Sequence, residues 1–154
     1  MYWISFAFLI LTGSALSWQD FRTRLLSLWL VIAFGIANTL LYLSRHTGNE
    51  LLENIIFCSC YLLFSYLVLL LYFYIKTRRV EKIIDTRIGL GDVIIFAAIG
   101  FCLQPDHMIF FFTATMLVAL AASPFLLQKQ KGIPLAGIVI LNYIAYLIYM
   151  NAAN

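Results

Sequence analysis

Charge is what this sequence has least of. Of 154 residues, 10 are Lys or Arg and 7 are Asp or Glu, 11% together, against about 25% in an ordinary soluble domain. So few charges cannot clothe a soluble fold, which excludes a soluble enzyme, a nucleic-acid binder and a disordered tail. Cysteine is scarce too: Cys58, Cys60 and Cys102 lie inside apolar runs. An odd number in such surroundings reads as small hydrophobes and not as a disulfide framework. No C-x-x-C pair is present, so a zinc ribbon is excluded. Internal repeats and low-complexity segments are absent as well. What is abundant is apolar surface: 64% of the residues are hydrophobic, 16% are aromatic, and the mean hydropathy is +0.96.

That balance predicts an all-α polytopic membrane protein. Six apolar stretches can be read, at residues 2–18, 25–43, 52–75, 88–103, 108–127 and 134–150. A helical span takes about 20 residues. In lipid the backbone must satisfy its own hydrogen bonds, so each stretch is expected to be a transmembrane helix. Six spans consume the chain and predict a single membrane-embedded domain over residues 1–154. Breakers mark the junctions at Thr47-Gly48-Asn49, Gln104-Pro105-Asp106 and Lys131-Gly132-Ile133-Pro134.

Orientation follows from the basic residues. Arg22 and Arg24 lie in the first loop, Lys76, Arg78, Arg79, Lys82 and Arg87 in the third, and Lys129 and Lys131 in the fifth. Only Arg45 lies in an even loop. The positive-inside rule then makes the odd loops cytoplasmic and places both termini outside the cytoplasm. The first stretch has no basic segment before it; its charges follow the apolar run. It is therefore expected to be a retained helix and not a cleaved signal.

Two acids stand apart from the rest. Asp20 closes the first stretch, in Ser17-Trp18-Gln19-Asp20-Phe21-Arg22. Asp92 opens the fourth, in Arg87-Ile88-Gly89-Leu90-Gly91-Asp92. The topology puts both at one cytoplasmic membrane edge. From Val93 to Leu103 the helix is about 16 Å long, so a full crossing starts near Arg87 or Ile88. Asp92 is then about one turn inside the membrane, a costly place for a carboxylate. Two carboxyls that meet at one site cannot both ionise easily; they share a proton and titrate as a unit. Such a pair can deprotonate a water while protonating a carbonyl oxygen, without metal or covalent intermediate. Gly89 and Gly91 lack Cβ atoms and leave room for an extended substrate backbone.

These residues resemble a family. Gly89-Leu90-Gly91-Asp92 is similar to the G-x-G-D signature of membrane aspartic proteases. With Asp20 about 70 residues earlier, followed by a basic stretch and a second helix, the chain resembles the type IV prepilin peptidases. The run Val93-Ile94-Ile95-Phe96-Ala97-Ala98-Ile99-Gly100 and the Ile133-Pro134 pair ahead of the last helix are similar to that family as well. The resemblance implies Asp20 and Asp92 as the catalytic pair. It implies cleavage of the leader of a prepilin-like or pseudopilin-like protein at the cytoplasmic face of the inner membrane, just before the substrate's hydrophobic helix. It implies a part in pilus assembly or protein secretion, and no cofactor. The chain departs from the family at Leu26-Ser27-Leu28, where Ile-Pro-Asn is frequent, and at Ile94, where Lys is usual. It also begins directly with a helix, without the paired-cysteine segment linked to methylation, so a peptidase without methyltransferase activity is expected.

Other classes fit the residues taken alone. A small proton- or cation-coupled transporter would use Asp92 as its ion site, although both acids sit at an edge and neither at the midplane. A non-catalytic scaffold of a pilus or secretion assembly fits the departures at Ser27, Leu28 and Ile94. A presenilin-type protease would carry a Tyr-Asp pair, which this chain lacks. Cys58 and Cys60 are two residues apart and point about 200° apart on a helix, so they cannot face one metal ion together. His46 and His107 are expected to be solvated in loops, each near an acid. Glu81 and Asp85 read as part of a salt-bridged juxtamembrane helix. The expected partners are the bilayer and a prepilin-like substrate with a hydrophobic helix, and not nucleic acid; no metal is expected.

Overall fold

A computed structural model describes residues 2–23, 25–78, 89–126 and 134–153. Six helices follow one another: α1 (Tyr2–Thr23), α2 (Leu28–Leu43), α3 (Gly48–Thr77), α4 (Leu90–Gly100), α5 (Pro105–Leu126) and α6 (Leu135–Ala153). Each falls on one of the six apolar stretches, and no strand occurs among the described residues. Arg24, Arg79, Glu81, Lys82, Asp85, Arg87, Lys129 and Lys131 lie outside the described residues. The juxtamembrane helix expected around Glu81 and Asp85 therefore falls outside them too.

Local chemistry sets the helix ends. α3 starts on a capping box, in which the Thr47 side chain accepts from the Glu50 N–H and Glu50 reaches back to the Thr47 N–H. It ends at Arg78, which adopts a left-handed conformation (φ 53°). α5 opens with Pro105, and Pro134 stands just ahead of α6. Proline suits a first turn, because its missing N–H would have had no intrahelical partner there.

α1 packs against α2 and α6, α4 lies against α6, α2 and α3, and α5 lies against α6 and α3. The core holds Leu9 and Leu16 of α1, Phe34 of α2, Ile95 and Ile99 of α4, Met108 and Phe112 of α5, and Val139, Ile140 and Tyr143 of α6. Two glycines allow close approach between helices. A Cβ at Gly13 would meet Ile140, Ile144 and Phe34, and one at Gly100 would overlap the Cys58 sulfur. α3 is the outlying helix. Among its described side chains only Asn54 and Cys58 are buried.

The outside of the bundle is apolar nearly all round. Trp3, Leu11, Trp18, Trp29, Phe64, Phe110 and Leu120 are all exposed. An apolar exterior of this extent belongs in lipid. Stretches of α3, α5 and α6 (Gly48–Tyr72, Pro105–Ala122 and Leu135–Ala152) are long and apolar enough to cross a membrane, while α2 and α4 are shorter apolar helices. The chain is a helical membrane protein.

Candidate active site

The buried residues of α1 run Ser5, Leu9, Thr12, Gly13, Leu16, Ser17 and Asp20. That spacing of three and four is one face of a helix. Asp20 is the last member, so the face that packs α1 into the bundle also carries the carboxyl inward. Its side chain is only 6% exposed. Asp92 sits in the first turn of α4, where a carboxylate complements the positive helix end. Gly89 precedes that helix in an extended conformation, and its carbonyl accepts from the Asp92 N–H at 3.1 Å.

The start of α6 joins the two acids. First-turn N–H groups of a helix have no partner within it. The Ala136 N–H donates to Asp92 Oδ1 at 3.0 Å, and the Gly137 N–H donates to Asp20 Oδ2 at 2.8 Å. Consecutive backbone nitrogens lie at most about 3.6 Å apart. The two contacted carboxylate oxygens are therefore within about 10 Å of one another. One helix start is thus capped by carboxylates from two other helices.

Gly137 eases this approach. A Cβ there would lie 3.2 Å from Asp20 Oδ2 and 3.0 Å from the Phe21 ring. Ser17, one turn before Asp20, donates its hydroxyl to the Gly137 carbonyl at 3.4 Å and ties the same two helices together.

The glycines before Asp92 have defined surroundings. A Cβ at Gly89 would stand 3.2 Å from Asp92 Oδ2, and one at Gly91 would stand 2.8 Å from Leu26 Cδ1. Leu26 belongs to the α1–α2 connection, which Gln19 fixes by accepting from the Ser27 N–H at 3.2 Å. A proline at position 27 would have no N–H for that bond. Ser27 thus has its own means of holding the start of α2. Ile94 is 38% exposed and lies about 200° around α4 from Asp92.

Other singled-out residues lie elsewhere. Cys58 is buried and Cys60 exposed, on opposite sides of α3. Among the described residues no group of three His, Cys, Asp or Glu side chains is placed to hold a metal ion. His46 is half-buried, stacks on the Tyr42 ring and pairs with Glu50 at 2.8 Å. His107 lies in the first turn of α5 and not in a loop, with its Nδ1 3.0 Å from the Tyr146 hydroxyl.

Sequence reasoning missed Ala136 and Gly137, because a backbone donor has no letter of its own. The available signal was Pro134 directly before an apolar run, which marks a helix start. A glycine three residues later marks a place of close approach.

The family model for the type IV leader peptidase family matches residues 5–124. The matched stretch includes Asp20, Gly89, Gly91 and Asp92 and stops before α6. No curated protein and no solved structure matches the chain significantly. A match over most of the length, with both acids inside it, leads to one conclusion: the chain belongs to the type IV leader peptidase family.

Proposed function

We propose that this protein is a membrane aspartic endopeptidase with Asp20 and Asp92 as its catalytic pair. The observation that carries the reading is the shared helix start. Two carboxyls far apart in sequence accept from consecutive amides of α6. With one carboxyl ionised and the other protonated, the carboxylate takes a proton from water and the acid gives its proton to the scissile carbonyl oxygen. Water oxygen bonds to the carbonyl carbon and forms a tetrahedral diol. Return of a proton to the amide nitrogen breaks the C–N bond and releases acid and amine. General acid and base work of this kind accelerates a reaction by about 10²- to 10⁴-fold.

The substrate is a prepilin-like or pseudopilin-like protein, cut between its leader and its hydrophobic helix. The position of the acids favours this. Asp20 lies within the last turn of α1 and Asp92 within the first turn of α4, so the pair sits at an end of the bundle, where a membrane-seated helix meets its polar leader. Gly89 and Gly91 bind the substrate backbone in this reading, which displaces the Leu26 side chain that fills the space beside Gly91. All six helices cross the membrane in this reading, with the acids at the cytoplasmic face of the inner membrane and both termini outside. Nine of the ten basic residues then lie on the cytoplasmic side. The basic third loop meets anionic lipid and does not attract a basic leader. The reaction uses no cofactor.

The test is co-expression with a prepilin-like substrate and N-terminal sequencing of the product. Asp20→Asn and Asp92→Asn are each expected to abolish cleavage, by at least about 10²-fold, while the protein still inserts and folds. Full activity in either variant overturns the dyad. A chelator is expected to leave the rate unchanged.

A further inference from the structure

The opposite end of the bundle holds a cavity of about 360 Å³, within the size range of small-ligand sites. It is formed where α1 and α5 begin and where α2, α4 and α6 end. Along α1, Tyr2 in its wall lies about 27 Å from Asp20, close to the ~30 Å thickness of a hydrocarbon core. The cavity therefore opens at the far membrane edge and is separate from the acids.

Its polar lining consists of hydrogen-bond donors and ambivalent groups: Arg45, Asn38, Gln104, His46, His107 and tyrosine hydroxyls. No carboxylate lines it among the described residues. Arg45 is held in place from two sides. Its Nη2 donates to Asn151 Oδ1 at 2.7 Å, and its guanidinium lies 4.0 Å from the centroid of the Tyr2 ring. The Tyr2 hydroxyl donates to the same Asn151 oxygen. Among the described residues Arg45 has no ion pair. One of its five N–H donors goes to Asn151, which leaves four for an anion. Both imidazoles engage through Nδ1, His46 with Glu50 and His107 with Tyr146. The rest of the wall is apolar, with Leu41, Leu103, Leu147 and Met150.

We propose that this cavity binds the phosphate of an anionic glycerophospholipid, with Arg45 as its anchor and the start of an acyl chain against Leu147 and Met150. A planar guanidinium fork suits phosphate oxygens, and the apolar wall suits an amphiphile. A free phosphate shares the headgroup chemistry, but Glu50, Glu53 and Asp106 stand at the same end. Their field does not steer a free anion inward. A lipid arrives through its chains. The site is independent of the peptidase reading.

The experiment places the purified full chain in nanodiscs of phosphatidylcholine with or without phosphatidylglycerol. Bound lipid is read by native mass spectrometry and thermal stability alongside it. The protein is expected to retain phosphatidylglycerol over phosphatidylcholine and to melt higher with it. Arg45→Gln should lower that retention by about tenfold, and Arg45→Lys should recover part of it. Asp92→Asn should retain lipid as the unaltered chain does. Equal retention by the unaltered chain and Arg45→Gln, or no preference for phosphatidylglycerol, overturns the proposal. Equal stabilisation by inorganic phosphate alone overturns the lipid as ligand. Should Arg45→Gln fail to fold, Gln104→Leu is measured in its place, with a severalfold loss expected and unchanged retention overturning the proposal.

Discussion

The two ends of this bundle are built from the same helices by different chemistry. At the Asp20–Asp92 end, side chains meet backbone: two carboxyls satisfy adjacent N–H groups at the start of α6. At the other end, most of the polar contacts between helices join side chains. Asn54 donates to the Tyr42 hydroxyl at 2.9 Å, the Tyr143 hydroxyl donates to Asn38 at 2.6 Å, and Arg45 donates to Asn151. Helix polarity explains part of the contrast. α4 and α6 both present positive N-termini to the acids, and such ends favour negative charge. The far end receives the C-termini of α2, α4 and α6 together with the starts of α1, α3 and α5, and there the polar contacts between helices are made largely by Tyr, Asn, Arg and His. A carboxyl pair placed at a helix start is positioned by main chain, and its geometry depends on where glycine permits approach.

The largest expected effect that sharpens this contrast comes from Gly137. Gly137→Ala puts a Cβ against Asp20 Oδ2 and the Phe21 ring. Cleavage is expected to fall by about 10- to 100-fold with the folded yield unchanged, measured as initial rate on a prepilin-like substrate. An unaltered rate would show that the acid end does not depend on this approach.

Gly91→Ala should matter less, because the atom in its way is the tip of the Leu26 side chain. Displacing Leu26 from its rotamer costs about 0.5–1.5 kcal/mol, so a severalfold loss of rate is expected. The double variant with Leu26→Ala should recover most of it. Failure to recover would mean that the missing Cβ serves something other than Leu26.

The smallest effect on activity belongs to the far end. Asn54→Leu removes the partner of the Tyr42 hydroxyl and is expected to lower stability by about 1–3 kcal/mol. Thermal melting in a fixed detergent measures that loss. The cleavage rate per folded molecule should not change, and a parallel fall in rate would erase the distinction between the two ends.

Much of this architecture is legible in the sequence, for physical reasons. Each of the six helices falls on an apolar stretch in a chain with too few charges to be soluble, and breakers stand at three of the junctions. Asp20 and Asp92 are conspicuous because the pattern of basic loops puts both at one edge and because Gly89 and Gly91 stand beside Asp92. Their meeting place was not legible. Ala136 and Gly137 act through N–H groups that every residue but proline has, so their identities do not announce the role. His107 falls in the first turn of α5 and not in a loop, because Pro105, which reads equally as either, is here the first residue of a helix. The anchoring of Arg45 joins residues 2, 45 and 151, a contact that only the packing of α1 against α2 and α6 creates.

Consecutive α6 amides hold the two carboxyls at one helix start. Whether the carboxyls then act as one unit is tested by a pH titration of the Ala136 and Gly137 amide proton shifts by NMR in the substrate-free protein. Both amides are expected to follow the same titration steps, and Asp92→Asn is expected to alter the titration seen at Gly137 as well as at Ala136. Amides that ignore pH, or a Gly137 titration indifferent to Asp92→Asn, would contradict it.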